Sequence, residues 1–271
     1  MGLILLRCVT MTYETVSYEV KDRVAVVTLN RPKSLNALNA QMGKDLGAAL
    51  RAASTGRGVL VIVVTGAGRA FCSGGDLKAM AGGFASAGTH SREMEAILRN
   101  FHDVVSFLQQ IDKPVVAAIH GPAVGAGMSV ALACDLRIAS EDATFSQAFV
   151  RIGLSPDGGS TWLLPRLIGP GRAAQLMMTG ETLGASRALE WGLVNHVVPE
   201  GEHLSRGLEF AQQLAALSPQ AIASIKRLLR SSERNRFFEQ LEAEAAEQNA
   251  NAMTPEFRAA LEAFFKRKPA S

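Results

Sequence analysis

Residues 16–20 and 23–29 alternate apolar and polar positions around Lys21-Asp22, the pattern of a β-hairpin. Asn39 suits the N-cap of a helix running to about residue 53. Residues 59–65 are nearly continuous apolar sequence, which predicts a strand buried on both faces. Residues 80–90 are rich in Gly, Ala and Ser and predict a mobile loop; residues 91–110 have helical periodicity. A second buried strand is predicted at 115–119, then a helix from about Ala126, then short strands at 134–139 and 144–145. Beyond about residue 159 the pattern is almost wholly helical, with one extended piece at 193–198. No sequence repeat is evident. The order predicts an α/β core followed by a helical C-terminal part.

Two junctions in this pattern carry chemical interest. The strand at 59–65 runs into Gly66-Ala67-Gly68-Arg69-Ala70-Phe71-Cys72-Ser73-Gly74-Gly75-Asp76. The strand at 115–119 runs into His120-Gly121-Pro122-Ala123-Val124-Gly125-Ala126-Gly127 and then an Ala-rich stretch, which reads as strand, tight turn and helix start. A helix start presents unpaired N–H groups and partial positive charge, suited to an oxygen that becomes anionic during a reaction. Two Gly-rich turns after two buried strands can aim two backbone donors at one point.

Composition narrows the class. The chain has 271 residues, 48% hydrophobic and 20% charged, with a formal net charge of +3. Its basic residues are scattered except at Lys266-Arg267-Lys268, so nucleic acid is not an expected partner. No apolar run approaches the ~20 residues of a membrane span. Residues 1–15 read as a disordered extension, with Met11 as an alternative start. Cys8, Cys72 and Cys134 are odd in number and widely spaced, which favours thiols in a reducing, cytoplasmic setting over a disulfide framework. His90, His102, His196 and His203 show no metal-ligand spacing, His120 reads as a packed histidine, and Cys72 as a small buried residue.

Leu29-Asn30-Arg31-Pro32 with Leu35-Asn36-Ala37-Leu38, then 70–77, 113–135 with its Gly-Ala-Gly turn, 153–161, Thr179-Gly180 and 188–194, together resemble the enoyl-CoA hydratase/isomerase (crotonase) superfamily, over about residues 18–268. The resemblance implies an α/β fold: a crotonase-like spiral of ββα units over 16–200, with a helical trimerisation region over 201–271. It implies homotrimers or dimers of trimers and an acyl-CoA thioester substrate. It calls for no cofactor beyond that CoA and no metal. The thioester oxygen is expected between the N–H groups of Ser73 and Ala126. The acyl-CoA path is expected along Lys33, Asn36, Ala37 and Leu38, along Ala70, Gly74, Gly75, Asp76 and Leu77, and past Gly125. From the C-terminus, Phe264 and Lys266 match a pattern that often reaches a neighbouring subunit's CoA.

The two glutamates of family hydratases fall at Ser129 and Phe149 here, and neither is acidic. A carboxylate appears instead at Asp157, as in the family's Δ3,Δ2-type and ring-epoxide isomerases and its dehalogenases; residues 145–149 and 156–166 look especially like epoxyacyl-CoA isomerases. One carboxylate suits a proton shuttle, with a pKa raised from ~3.9 by apolar walls such as Phe149, Leu154 and Trp162. The plainer reading of Pro156-Asp157-Gly158-Gly159 is a turn aspartate or a helix N-cap. Ser129 reads as a small packing residue. The leading expectation is thus an acyl-CoA isomerase using Asp157. The alternatives are a hydratase using Asp157 or a loop acid such as Glu93 or Glu95, and a non-catalytic acyl-CoA-binding paralogue.

Overall fold

A computed structural model describes residues 9–82 and 92–266. Three strands open the chain: β1 (Val9–Thr12), β2 (Val16–Lys21) and β3 (Val24–Leu29), paired antiparallel. Strand β1 corrects the expectation of an extension over 1–15: residues 9–12 pair with 17–20, and only residues 1–8 lie outside the described residues. The hairpin turns at Asp22 and Arg23, both with positive φ. Helix α1 (Ala40–Thr55) starts at Asn39, whose side chain accepts from the Met42 N–H as a cap should. Strand β4 (Val61–Gly66) is buried at every position. Helix α2 (Leu77–Gly82) takes in residues 80–82 of the loop expected at 80–90; the rest of that loop lies outside the described residues.

Helix α3 (Arg92–Leu108) leads to β5 (Val115–Ile119), β6 (Pro122–Val124) and α4 (Ala126–Ala133); β7 (Leu136–Ser140) and β8 (Thr144–Ser146) follow. Next come α5 (Ser160–Ile168), α6 (Pro170–Thr179), β9 (Thr182–Gly184), α7 (Ala185–Glu190) and β10 (His196–Val198). The chain ends in α8 (His203–Ala215), α9 (Pro219–Ser232), α10 (Phe237–Ala252) and α11 (Pro255–Lys266). Strand β9 is absent from the sequence-based expectation, because three residues are too few for a period to register. The extended piece at 193–198 shortens to β10.

The strands form a seven-stranded sheet, ordered β1-β2-β3-β4-β5-β7-β10 and parallel from β3 onward, and a three-stranded sheet, β6-β8-β9. Strands β5 and β7 each leave the large sheet, turn, and continue as β6 and β8 in the small one before a helix follows. This strand–strand–helix step is the repeating turn of the spiral. The main core lies on one face of the large sheet, with α1, α3 and α4 over it. Helix α8 covers the other face, where Leu204, Leu208 and Ala211 pack on Val61, Val63 and Val116. So α8 belongs to the core, and the helical appendage proper begins near α9. Glycine is required at Gly127, where a Cβ would stand 2.3 Å from the Cys72 carbonyl oxygen, so that α4 can press against the 70–76 segment.

Candidate active site

The 70–76 segment runs between two neighbours, and the direction of each amide decides what it can do. On one side, Cys72 N–H donates to Pro122 O (3.0 Å) and Val124 N–H to Cys72 O (2.9 Å). On the other side, Ser73 N–H donates to Leu35 O (3.0 Å), Leu38 N–H to Gly74 O (2.7 Å) and Asp76 N–H to Leu38 O (2.9 Å). The expectation for Ser73 therefore needs correction: its amide is committed to the 35–38 loop and is not available to a ligand. Gly75 sits opposite Leu38 in a parallel bridge, so its own N–H faces away from Leu38, towards the 122–126 side. It has no acceptor among the described residues, and neither has the Ala126 N–H at the first turn of α4. A Cβ on Gly74 would meet Val124 O at 2.9 Å and the Ala126 nitrogen at 3.8 Å, which measures how closely the two segments run.

These amides open onto a cavity of about 440 Å³. Leu77 and Met80 of α2, Ile97, Leu98, Phe101 and His102 of α3, Val124 to Ala126, Phe149 and Leu154 to Asp157 form its walls. Asp157 is the only carboxylate on that lining among the described residues. Its Oδ1 lies 2.5 Å from His102 Nε2 and accepts from Gly158 N–H at 2.5 Å. Its Oδ2 has no partner among the described residues. The Asp157 side chain is 24% exposed and that of His102 56%. The Asp157 carbonyl accepts from the Ser129 and Ser160 hydroxyls, both at 2.9 Å. Asp157 thus stands in a turn, as its sequence suggests, but does not cap α5, whose N-cap is Gly159. Ser129 is fully buried and spends its hydroxyl on that turn and on Gly125 O.

The remaining expected residues divide. Phe149 and Leu154 wall the cavity, and the Phe149 ring lies 3.7 Å from where a Gly125 Cβ would be. Trp162 does not line it. Ser160 and Leu164 take the buried face of α5, leaving Trp162 40% exposed with the Arg166 guanidinium 3.9 Å over its ring. Asn36 is fully buried, and its Nδ2 donates to the carbonyls of Ala67, Ala70 and Phe71 while its Oδ1 accepts from Arg31 N–H. Its side chain is a tie between loops, not a ligand contact, and Ala70 is buried with its carbonyl taken. Ala37 is buried, Lys33 exposed, and Leu38 and Leu77 meet the cavity. The Asp76 carboxylate faces Arg31 and the Lys78 and Ala79 amides. Burial acts to raise its pKa, but those amides and the guanidinium outweigh it and hold the group below the usual carboxylate value. Phe264 and Lys266 stand exposed on α11 and do not line this chain's cavity.

His102 is the residue that sequence reasoning passed over. It has no metal-like spacing, and the available signal was its place four residues after Leu98 and next to Phe101 on the apolar stripe of α3. Other candidates are inert. Burial pushes the Cys72 thiol up to about 12, and its Sγ lies 3.0 Å from Asn36 O. His120 is buried, bonded to Gly68 O (2.9 Å) and stacked on His203 at 4.1 Å. Glu95 is exposed and off the cavity lining; the side chain of Glu93 and all of His90 lie outside the described residues. Among the described residues there is no cluster of three metal-ligating side chains, and no helix long and apolar enough to cross a membrane.

Known proteins give this geometry a context. The sequence profile of the enoyl-CoA hydratase/isomerase family matches residues 19–271. A probable enoyl-CoA hydratase of Rhodobacter capsulatus is 40% identical over 261 residues, 96% of this chain and 98% of that protein. The 1,2-epoxyphenylacetyl-CoA isomerase of Escherichia coli is 34% identical over 257 residues, 94% of this chain and 97% of that one. The crystal structure of an enoyl-CoA hydratase from Polaromonas sp. JS666 superposes with a TM-score of 0.87 at 35% identity, covering 94% of this chain and 98% of that one. The chain belongs to the enoyl-CoA hydratase/isomerase family and has the crotonase fold.

Proposed function

We propose that this enzyme isomerises an unsaturated acyl-CoA by a proton shift along the acyl chain. The reading rests on one observation: among the described residues the cavity is lined by a single carboxylate, Asp157, with one oxygen anchored and the other without a partner. The thioester oxygen sits between the Gly75 and Ala126 amides. Asp157 is tied through its carbonyl to Ser129, three residues beyond Ala126 and about 4.5 Å farther along α4. Its carboxylate thus addresses the acyl chain past the carbonyl carbon. Oδ2 removes a proton from Cα or Cγ, the electron pair moves onto the thioester oxygen, and the two amides stabilise the enolate. Oδ2 then returns the proton at the other end of the allyl system. His102 holds Oδ1, which leaves Oδ2 for the substrate.

CoA enters with the substrate, and the chemistry uses only amides and one side chain, so no further cofactor takes part. The tail lies along Lys33, Ala37 and Leu38 and over Asp76 and Leu77. The apolar side chains exposed on the last helices, among them Ile225, Leu229, Phe237, Phe238 and Phe265, meet other copies in a homotrimer or dimer of trimers, where Phe264 and Lys266 reach a neighbour's CoA. Sedimentation at the mass of one subunit would contradict that assembly. The buried thiols of Cys72 and Cys134 suit a reducing cytoplasm.

The deciding experiment follows substrate protons in D2O by mass spectrometry. The wild type exchanges α protons of an enoyl-CoA and yields the shifted isomer; Asp157→Asn still binds the thioester but loses exchange by roughly 10²–10⁴-fold. Undiminished exchange in Asp157→Asn refutes the reading. Hydration is a second reading, favoured by His102 as a second proton carrier beside Asp157. A product one water heavier marks that outcome.

A further inference from the structure

We propose that the Arg31–Asp76 ion pair couples the loop that receives the CoA tail to the amide that receives the thioester oxygen, so that tail binding tightens the oxyanion site. The proposal rests on the catalytic reading above and adds a positioning role to it.

The pair bridges two segments that meet at the cavity mouth. Arg31 Nη2 lies 2.9 Å from Asp76 Oδ2, with side chains only 21% and 13% exposed, so solvent screens it less than an open surface pair. Arg31 Nη1 donates to Ala37 O at 2.5 Å, and the Arg31 N–H is held by Asn36 Oδ1 at 2.9 Å. Arg31 therefore reads the position of the 31–38 loop at two places. That loop carries Leu35 with φ of 49°, a strained conformation for a bulky side chain, followed by Asn36 at 57°, where asparagine is tolerated. Such a path persists only where surrounding bonds over-determine it, and a ligand laid on the loop bears on those bonds.

Asp76 passes the constraint on in two directions. It is the residue after Gly75, so its anchoring limits how far the Gly75 backbone, and with it the Gly75 N–H, can shift. Its Oδ1 accepts from Lys78 N–H and Ala79 N–H, both at 3.2 Å, and so fixes the start of α2, which brings Leu77 and Met80 to the cavity wall. The backbone bond from Asp76 N–H to Leu38 O ties the same two segments and survives the exchange of Asp76 for asparagine; the ion pair does not. Binding energy from a remote, unreacting part of the substrate then serves the reacting centre.

The test compares an acyl-CoA with the matching N-acetylcysteamine thioester, which has the same acyl group but lacks most of the tail. Asp76→Asn keeps a capping oxygen for α2 and removes the charge; Arg31→Gln removes the other partner. In the wild type, kcat with the CoA ester exceeds kcat with the truncated ester. In each variant the ratio of the two falls at least about fivefold, the lower end of ordinary coupling between sites. The absorbance red shift of a bound conjugated CoA ester, which reports polarisation of its carbonyl, shrinks in step. Equal proportional losses on both esters overturn the proposal, since a pair that only supports the fold would damage both alike. If the wild type turns over no thioester, the catalytic reading fails, and coupling is then judged with unesterified CoA and amide hydrogen exchange. CoA should slow exchange over residues 72–82 in the wild type and not in Asp76→Asn. Equal slowing in both, or none in the wild type, overturns the coupling itself.

Discussion

Gly158 and Gly153 form a natural pair for testing how the Asp157 turn is built. Both have left-handed φ, 62° and 74°, but their surroundings differ. Around Gly153 there is nothing within 4 Å of an added Cβ. At Gly158 that Cβ would lie 2.3 and 2.4 Å from Cζ and Cε1 of Phe101 and 3.0 Å from Ser129 Cβ. Carbon atoms prefer ~3.5–4.0 Å, so the Phe101 ring must retreat by roughly 1 Å or more. It is 4% exposed and packed in the main core, so it cannot swing into solvent. Gly153→Ala meets only backbone strain of ~1–2 kcal/mol, partly offset by a stiffer unfolded chain, for a net loss of about 1 kcal/mol. Gly158→Ala adds an overpacking cost of about 1–3 kcal/mol. At roughly 2–4 °C per kcal/mol for a chain of this size, its melting midpoint lies roughly 2–12 °C below that of Gly153→Ala. Differential scanning calorimetry of the two variants under identical conditions measures the gap. Equal midpoints would show that Phe101 does not fill the space beside the turn.

Ala126 is the first residue of α4 and its N–H has no acceptor among the described residues, so Ala126→Pro deletes one proposed oxyanion donor at a helix position that tolerates proline. Turnover should fall roughly 10²–10³-fold while far-UV circular dichroism keeps its helical signal; retention of turnover within a few-fold removes that amide from the mechanism. Burial, helped by neighbouring His120, pushes His203 from 6.5 down to about 4. Its folded pKa lies below the unfolded value, so its contribution is fully present above about pH 6.5 and is lost as pH falls towards about 4. His203 is only half-buried; after allowance for solvent screening the loss is about 1–2 kcal/mol, readable as a change in urea midpoint that flattens in His203→Phe.

What the sequence made legible was what periodicity and turn chemistry encode. The all-apolar run of β4, the Asn39 cap and the helix start at Ala126 each follow from a local pattern with a single physical cause. The misses come from contacts between distant segments. Ser73 and Gly75 look equally available in Cys72-Ser73-Gly74-Gly75, and only the register against Leu35 and Leu38 commits the first amide and turns the second away. Asn36 sits in a motif associated with CoA, yet its amide is used to tie three carbonyls of another loop. Trp162 lies close to Asp157 in sequence, but the helical period turns it onto Arg166 and away from the cavity. His102 reaches Asp157 from 55 residues away, a distance over which no local pattern operates.

The two positions where family hydratases carry glutamate bear on the proposal that one acid serves this site. At residue 129 the serine hydroxyl is spent on the Asp157 carbonyl, so α4 and the Asp157 turn are fixed to each other. At residue 149 a phenylalanine ring fills the space beside Gly125 and helps wall the cavity. One of these positions ties down the Asp157 turn, and the other lines the cavity. Addition of water needs one group to activate the water and another to deliver a proton to carbon. A shift of a proton between two carbons needs one group able to take and return it, in a site too dry to lose it. With Oδ1 held by His102 and Gly158 and Oδ2 without a partner among the described residues, Asp157 is arranged to take and return a proton as proposed, and hydration would depend on His102 releasing Asp157 to hold water instead.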